Sequence, residues 1–141
     1  MKSLLLVEDN PHDEMLLLRA LRKANLINPV EVMRDGQQAL DYLFREGEFA
    51  GRSDLDLPAV MLLDIGLPRL NGLQVLQRLR ADPRTRLLPA VILTSSDDER
   101  DRLGSCEGGA NSFVNKPLDF GEFAQTLARL GLYWLATNEP P

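Results

Sequence analysis

The chain has 141 residues, of which 44% are hydrophobic, and its formal net charge is −5. This length supports one core, so we predict a single domain over residues 1–141. The acidic balance argues against direct nucleic-acid binding, because a phosphate backbone requires a basic face. One cysteine excludes an internal disulfide, the apolar runs are too short to span a bilayer, and no signal peptide is recognisable. These features predict a cytoplasmic protein with no membrane contact.

The first predicted elements are a strand and a helix. Residues 3–7 form an apolar run. Asn10 followed by Pro11 is a strong helix start, because asparagine caps helices and proline suits their first position. The helix extends to about residue 24, and three of its apolar residues recur at helical spacing, namely Met15, Leu18 and Leu21.

A second strand, a second helix and a third strand follow. Residues 30–33 form a short strand, and Gly36 opens the second helix. Residues 46–57 are polar and form the longest loop of the chain, which predicts a surface insertion. Residues 59–63 form the most apolar of the predicted strands.

The third helix has clear signals at both ends. Asn71 can cap its start, and Asp82-Pro83 ends it, because the residue before a proline disfavours helical geometry. A fourth apolar strand then occupies residues 90–93.

The last third of the chain predicts two helices around a fifth strand. Ser96 with Glu99 forms a capping-box pattern at the start of the fourth helix. Gly104 lies inside that helix and costs about 1 kcal/mol relative to alanine, so this helix should be the least stable one. Residues 112–115 form the fifth strand, and Asp119 caps the last helix.

Alternating strands and helices predict an α/β fold with a parallel sheet covered by helices on both faces. The expected architecture is a flavodoxin-like doubly wound five-stranded sheet with strand order 2-1-3-4-5. Right-handed crossovers place all the carboxyl ends of the strands at one edge of the sheet. Polar groups follow four of these strands, at Glu8-Asp9, Asp64, Thr94 and Lys116.

Three carboxylates in one crevice repel each other, and desolvation increases the repulsion, so the cluster requires a cation. An all-oxygen site suits Mg²⁺ better than zinc, because no histidine or cysteine belongs to this constellation. Asp64 is then a plausible nucleophile, since an aspartate can form an acyl phosphate. Lys116 would pair with the phosphoryl charge, the Thr94 hydroxyl would donate to a phosphoryl oxygen, and backbone N–H groups near Gly66 and Ser95 can add donors.

Taken together, the motifs resemble the receiver domain of two-component response regulators, and the resemblance covers essentially the whole chain. Any one of the motifs is weak, whereas four in order at the expected strand ends are specific. They are Leu6-Val7-Glu8-Asp9-Asn10, Leu62-Leu63-Asp64-Ile65-Gly66-Leu67-Pro68 with Asn71-Gly72, Leu93-Thr94-Ser95, and Asn115-Lys116-Pro117.

The resemblance implies that Asp64 accepts a phosphoryl group from a histidine kinase with Mg²⁺. Asp9 would bind the metal directly, Glu8 would bind it through water, and Gly66 would offer its backbone carbonyl. The protein would therefore be a phosphoacceptor that promotes only its own phosphorylation and dephosphorylation, and not a conventional enzyme.

The resemblance also implies a conformational switch. Thr94 and Phe113 match the switch pair of the family, in which the hydroxyl moves toward the phosphoryl group and the ring turns inward. Lys116-Pro117 matches a position where the family usually has a cis peptide, which is a rare and deliberate feature.

Within the family, the chain resembles the stand-alone regulators encoded with bacterial phytochrome kinases. The features that carry this narrower resemblance are the long loop before the third strand and the Tyr133-Trp134-Leu135 ending. A C-terminal extension from about residue 131 holds apolar residues that lie off the core stripe of the last helix. They can pack on their own domain or form a homodimer contact, and we favour the dimer for Leu132, Tyr133 and Leu135.

Two residues depart from the common family pattern. Glu8 replaces the commoner aspartate, which a water-mediated metal contact should tolerate. Gly66 has no side chain where relatives often carry one that tunes dephosphorylation, so the lifetime of the phosphorylated state stays open. Two other residues receive an ordinary interpretation. His12 is interpreted as a solvated side chain, with kinase contact as the alternative, and Cys106 as an inert helix residue, with a redox sensor as the alternative.

The predicted function is a single-domain response regulator with output through protein partners. The main alternative is a degenerate receiver that binds proteins without phosphorylation. An aspartyl-phosphate phosphatase would usually carry a second aspartate two residues after the nucleophile, where this chain has Gly66. A flavin-binding flavodoxin-type module requires an uncharged phosphate loop after the first strand, where this chain has Glu8-Asp9.

Overall fold

The computed structural model describes five stretches of the chain and two single positions. These are residues 3–23, 28–51, 57–67, 70–94 and 112–115, with residues 121 and 125. The predicted fourth and last helices, with the capping signals at Ser96 and Asp119, lie outside the described residues apart from positions 121 and 125.

Five parallel strands form one sheet in the order β2-β1-β3-β4-β5, which confirms the predicted topology. Because the strands are parallel, their carboxyl ends meet at one edge of the sheet. β3 begins and ends one residue later than predicted, so Asp64 is the last residue of the strand. The strands are β1 (Leu4–Val7), β2 (Val30–Met33), β3 (Val60–Asp64), β4 (Ala90–Thr94) and β5 (Ser112–Asn115).

Three α-helices lie within the described residues: α1 (Pro11–Lys23), α2 (Gly36–Phe44) and α3 (Gly72–Ala81). Successive strand side chains point to opposite faces of a sheet, so the sheet supports two cores. On one face, Leu4, Leu6 and Leu62 form a buried cluster with residues of α1. On the other face, Leu5, Leu63 and their neighbours form a buried cluster with residues of α2 and α3. The prediction of helices on both faces is confirmed.

The central strands are apolar throughout because both of their faces are covered. Every residue of β1, β3 and β4 is buried, including the polar strand-end residues Asp64 and Thr94. This pattern is typical of parallel sheets, whose strands read as continuous apolar runs rather than as an alternation. The polar residues at the strand ends are the exceptions that mark the site.

α1 begins at its predicted cap, and Leu18 and Leu21 of the predicted stripe face the core, whereas Met15 does not. The Asn10 Oδ1 accepts backbone hydrogen bonds from His12 at 2.9 Å and Asp13 at 3.1 Å. The buried residues are Leu17 and Leu21, while Met15 is 46% exposed. At 3.6 residues per turn, Met15 lies about 120° around the helix from Leu21, which turns it away from the sheet.

The polar stretch before β3 is anchored to the core rather than being only a surface loop. It contains a short 3₁₀-helix, Gly47–Phe49. The Phe49 ring packs edge-on against Tyr42 of α2, with ring centroids 5.3 Å apart and planes at 84°. Phe49 and Leu57 both pack against the core cluster of α2 and α3. The hydrophilic composition of this stretch concealed these two apolar contacts.

α3 has the capping box that Asn71 indicated. The Asn71 Oδ1 accepts from the Gln74 backbone N–H, and the Gln74 Oε1 accepts from the Asn71 backbone N–H, both at 3.0 Å. Such reciprocal bonds satisfy donors that a helix start leaves unpaired. The helix ends at Ala81, immediately before Asp82-Pro83, as predicted.

The turn between α3 and β4 is held by one arginine. The Arg80 Nη1 donates to the carbonyl oxygens of Thr85 at 3.3 Å, Arg86 at 3.0 Å and Leu88 at 2.8 Å. The buried Thr85 hydroxyl donates to the Leu79 carbonyl oxygen at 2.7 Å. Desolvation by burial lowers the pKa of Arg80, which stays cationic because an arginine pKa lies far above neutral. These bonds fix where β4 begins, and so where its opposite end places Thr94.

Replacing Asn71 by alanine should remove the side-chain half of the α3 cap. We expect Asn71→Ala to lower the free energy of unfolding by about 1 kcal/mol, the usual cost of losing a helix cap. Asn71→Asp is the matched control, because an aspartate still accepts from Gln74 and its charge suits a helix N-terminus. Urea unfolding followed by circular dichroism measures both, and an unchanged free energy for Asn71→Ala would contradict the cap.

Candidate functional site

Three acids from two neighbouring strands converge at the carboxyl edge of the sheet. β1 pairs with β3 in a register that places Val7 opposite Leu63. Glu8 and Asp9 therefore follow β1 beside Asp64, the last residue of β3. A carboxylate oxygen from each of the three lies within 4.8 Å of the other two. The acids that the sequence predicted as one cluster are therefore together.

The three carboxylates differ in their exposure to solvent. The Glu8 residue is fully buried, Asp64 is 7% exposed, and Asp9 is exposed. The Glu8 Oε1 accepts a hydrogen bond from the Asn10 backbone N–H at 3.2 Å, and the Glu8 N–H donates to the Met33 carbonyl oxygen at 2.9 Å. These bonds orient the Glu8 side chain toward the cluster, just before α1 begins. Asp9 is left as the acid most open to solvent.

The donor set fits a hard divalent cation. All three clustered groups are carboxylates, and neither histidine nor cysteine belongs to the cluster. Oxygen donors suit Mg²⁺, which is usually bound by one or two carboxylates and keeps several waters. The arrangement of two buried carboxylates and one exposed carboxylate leaves a solvent side for such waters. The cluster could therefore bind a metal.

Thr94 lies on the next strand beyond Asp64. β3 pairs with β4 so that Asp64 is opposite Leu93, and Thr94 is the residue that follows and ends the strand. Thr94 is fully buried. The predicted constellation therefore continues across the sheet edge in the expected strand order.

The remaining predicted site residues are described only in part. β5 places the Phe113 backbone opposite Ile92 and the Asn115 backbone opposite Thr94. The Phe113 side chain lies outside what the structure describes, and so do several whole residues that the sequence singled out. These are Ser95, Cys106, Lys116, Pro117, Leu132, Tyr133 and Leu135.

Gly66 is exposed, and a Cβ added at this position would meet no atom of the described residues within 4 Å. Packing against the described part of the chain therefore does not require glycine at position 66. The absence of a side chain next to the acidic cluster is a chemical property of the site and not a steric necessity of the fold.

Gly72 is a site-related residue whose contact the sequence did not indicate. A Cβ at this position would lie 3.1 Å from both the Asp64 carbonyl oxygen and the Ile65 Cα. The Gly72 N–H donates to the Ile65 carbonyl oxygen at 3.1 Å. The Asn71-Gly72 motif marked the position, but only the structure shows that the first turn of α3 contacts the backbone of Asp64.

His12 is exposed, in agreement with its interpretation as a solvated side chain. Its backbone N–H donates to the Asn10 cap. In the described part of the chain, no helix is both long and apolar enough to cross a membrane.

Residues 4–128 match the response regulator receiver domain family. The chain belongs to this family. The receiver resemblance is therefore confirmed, and phosphorylation and Mg²⁺ are general features of the family. Receiver domains pair with histidine kinases.

Two relatives are similar to this chain over most of their own length. The chain is 39% identical over 138 residues to the probable methanogenesis regulatory protein FilR2 of Methanothrix harundinacea, covering 98% of this chain and 86% of that protein. It is 29% identical over 140 residues to the response regulator Rcp1 of Synechocystis, covering 99% of this chain and 93% of that protein.

Solved structures include two similar bacteriophytochrome response regulators. RtBRR is 50% identical with a TM-score of 0.89, and the match covers 100% of this chain and 84% of that one. AtBRR is 47% identical with a TM-score of 0.89 and coverage of 95% of both chains. The receiver domain is therefore related to phytochrome response regulators.

Removing the charge of Asp64 should stabilise the metal-free receiver. Two unit charges about 4 Å apart interact by about 1 kcal/mol even in bulk water, so Asp64→Asn should raise the free energy of unfolding by at least about that amount. Urea unfolding in the presence of a chelator measures the change.

Glu31→Gln is the matched control, because Glu31 is exposed on β2 and the substitution changes net charge equally. It should leave stability nearly unchanged. If the free energy of unfolding rose equally in both variants, the cause would be the change in net charge. That result would contradict local repulsion within the cluster.

Proposed function

We propose that this receiver is a single-domain response regulator that accepts a phosphoryl group from a histidine kinase on Asp64. The observation that carries the proposal is the convergence of Glu8, Asp9 and Asp64, with carboxylate oxygens within 4.8 Å of one another. Thr94 ends the adjacent strand. This arrangement matches the chemistry that aspartyl phosphorylation requires: a nucleophile, acids for a cation, and a nearby hydroxyl.

In the proposed transfer, a carboxylate oxygen of Asp64 attacks the phosphorus of a phosphohistidine. The new oxygen–phosphorus bond forms as the nitrogen–phosphorus bond to the kinase histidine breaks, which leaves an aspartyl phosphate. Bound Mg²⁺ would supply positive charge that offsets the repulsion between the carboxylates and the phosphoryl group. Asp9 would hold the ion directly, Glu8 through water, and Gly66 through its backbone carbonyl.

The buried position of Glu8 supports its assignment to an indirect contact. One of its oxygens already accepts from the Asn10 N–H, so its carboxylate is oriented by the backbone. An acid held in this way, one water away from the ion, would orient that water on the metal. The Glu8 side chain is longer than that of an aspartate, so its carboxylate reaches the cluster although the residue is fully buried.

Thr94, Ser95 and Lys116 would bind the transferred phosphoryl group. The Thr94 hydroxyl and the Ser95 backbone N–H would donate to its oxygens, and the Lys116 ammonium would pair with its charge. Phe113 would turn inward as Thr94 moves, and Pro117 is the candidate for a cis peptide. Phosphorylation would thereby shift a two-state equilibrium on the face of the fourth helix, β5 and the last helix.

The protein would act on no external substrate and would promote only its own phosphorylation and dephosphorylation. Gly66 provides no carboxylate that could serve as a general acid, which separates the site from that of an aspartyl-phosphate phosphatase. The alternative of a degenerate receiver has less support. Such a module would not need the acidic cluster, and the cluster is intact.

The partner we propose is a bacteriophytochrome histidine kinase in the cytoplasm. The support is the similarity to RtBRR and AtBRR, each a bacteriophytochrome response regulator.

We also propose a homodimer in which Leu132, Tyr133 and Leu135 form the contact.

Acetyl phosphate with Mg²⁺ should add one phosphoryl group to the wild-type chain, as seen by intact-mass spectrometry. Asp64→Asn should gain none, because the nucleophile is gone. Asp13→Asn removes an acid of α1 outside the cluster and should still be phosphorylated. Equal phosphoryl mass on wild type and Asp64→Asn would overturn the assignment of Asp64, and no gain on wild type would overturn the phosphoacceptor function.

The dimer should depend on the apolar residues at the C-terminal end. Replacing Leu132 and Leu135 together by aspartate places charge in the proposed contact, so we expect a monomer. Light scattering coupled to gel filtration gives the mass of each. A monomeric wild type, with or without acetyl phosphate, would contradict the dimer without affecting the phosphorylation of Asp64.

A further inference from the structure

Two glycines, each the first residue of a helix, make close contacts at the two ends of the loop between β3 and α3. Gly36, the first residue of α2, is buried, and a Cβ at this position would lie 2.1 Å from the Leu70 carbonyl oxygen. The same Cβ would lie 2.8 Å from the Leu70 Cβ and from the Val75 Cγ2. Among the described glycines, Gly47 alone has a positive φ, so space and not backbone strain requires glycine at position 36. The backbone of the loop rests directly on α2.

The second contact holds the other end of the loop. A Cβ on Gly72 would lie 3.1 Å from the Asp64 carbonyl oxygen and from the Ile65 Cα. The Gly72 N–H donates to the Ile65 carbonyl oxygen at 3.1 Å, and the capping box holds the preceding residue. The start of α3 therefore contacts the backbone that carries the phosphoacceptor.

Gly66 lies between these two contacts. Within the described ranges, a Cβ on Gly66 would meet no atom within 4 Å, whereas the neighbouring Leu67 side chain is buried at 6% exposure. The position of the Gly66 backbone is therefore set by Ile65 and by the buried Leu67. Gly36 approaches Val75 of α3, and Gly72 at the start of α3 approaches Ile65, so a displacement of α3 would reach the residue next to Gly66.

We propose that Gly36 and Gly72 are positioning residues for the cation site: they set where α3 lies against the Asp64–Ile65 backbone and thereby the affinity for Mg²⁺. The inference rests on the proposed function, since it takes the acidic cluster and the Gly66 carbonyl as the cation site. Gly36 precedes Asp64 by more than one helix and one strand, so the link exists only in the folded chain. Supporting groups around metal ligands commonly change affinity by about 10- to 100-fold when they are altered.

Calorimetric titration of the full chain with Mg²⁺ tests the proposal across a graded series of alanine variants. Gly36→Ala has the most severe overlap and should weaken binding by about tenfold or more. Gly72→Ala requires a shift of only a few tenths of an ångström and should weaken binding by about threefold. Gly51→Ala should bind as wild type does, because a Cβ there meets no atom of the residues that the structure describes within 4 Å.

Leu21→Ala separates positioning from general destabilisation. Leu21 is buried against the opposite face of the sheet, so this variant should lower the unfolding temperature and keep the wild-type affinity for Mg²⁺. If Gly36→Ala does not fold, Gly72→Ala decides the outcome. Wild-type affinity in folded Gly36→Ala or Gly72→Ala would overturn the positioning role alone. No binding by wild type would overturn the proposed cation site, and the positioning role with it.

Discussion

The mutual repulsion of three carboxylates at one sheet edge is the constraint around which this receiver is organised. Glu8, Asp9 and Asp64 come within 4.8 Å of one another although two of them are buried. Such an arrangement costs stability in the metal-free state, and the surrounding structure must hold it. A cation, or a change of charge at Asp64, therefore acts directly on all three carboxylates.

The elements around the site supply the rigidity that this cluster requires. β1 and β3 pair in register, so both acidic ends arrive at the same level of the sheet. Asn10 caps α1 while its own N–H binds Glu8, which joins the start of the helix to the orientation of the acid. Gly72 lets the start of α3 contact Asp64 directly. The Asn10 cap, the close approach of Gly72 and the register of β1 with β3 together determine where the charges lie.

The strands and their polar ends were predictable because each depends on local sequence, and the order of the strands followed from the doubly wound α/β fold that they predicted. A continuous apolar run predicts a buried parallel strand, and a polar group at its end indicates the functional edge. Prediction was less successful where a residue's environment comes from distant parts of the chain. Met15 has helical spacing and yet faces solvent. Phe49 lies in a polar stretch and yet packs on Tyr42. The Arg80 contacts with three carbonyls had no sequence signal.

By itself, the sequence determined the α/β class, the strand order, the caps at Asn10 and Asn71, and the chemical types of the site residues. Periodicity, capping and strand-end polarity are short-range properties, so they can be read along the chain. Only the tertiary structure decided the spacing of the three carboxylates, the burial of Glu8 and the open space at Gly66. It also decided the contact of Gly36 with Leu70, because that distance joins segments separated by a helix and a strand and is set by packing.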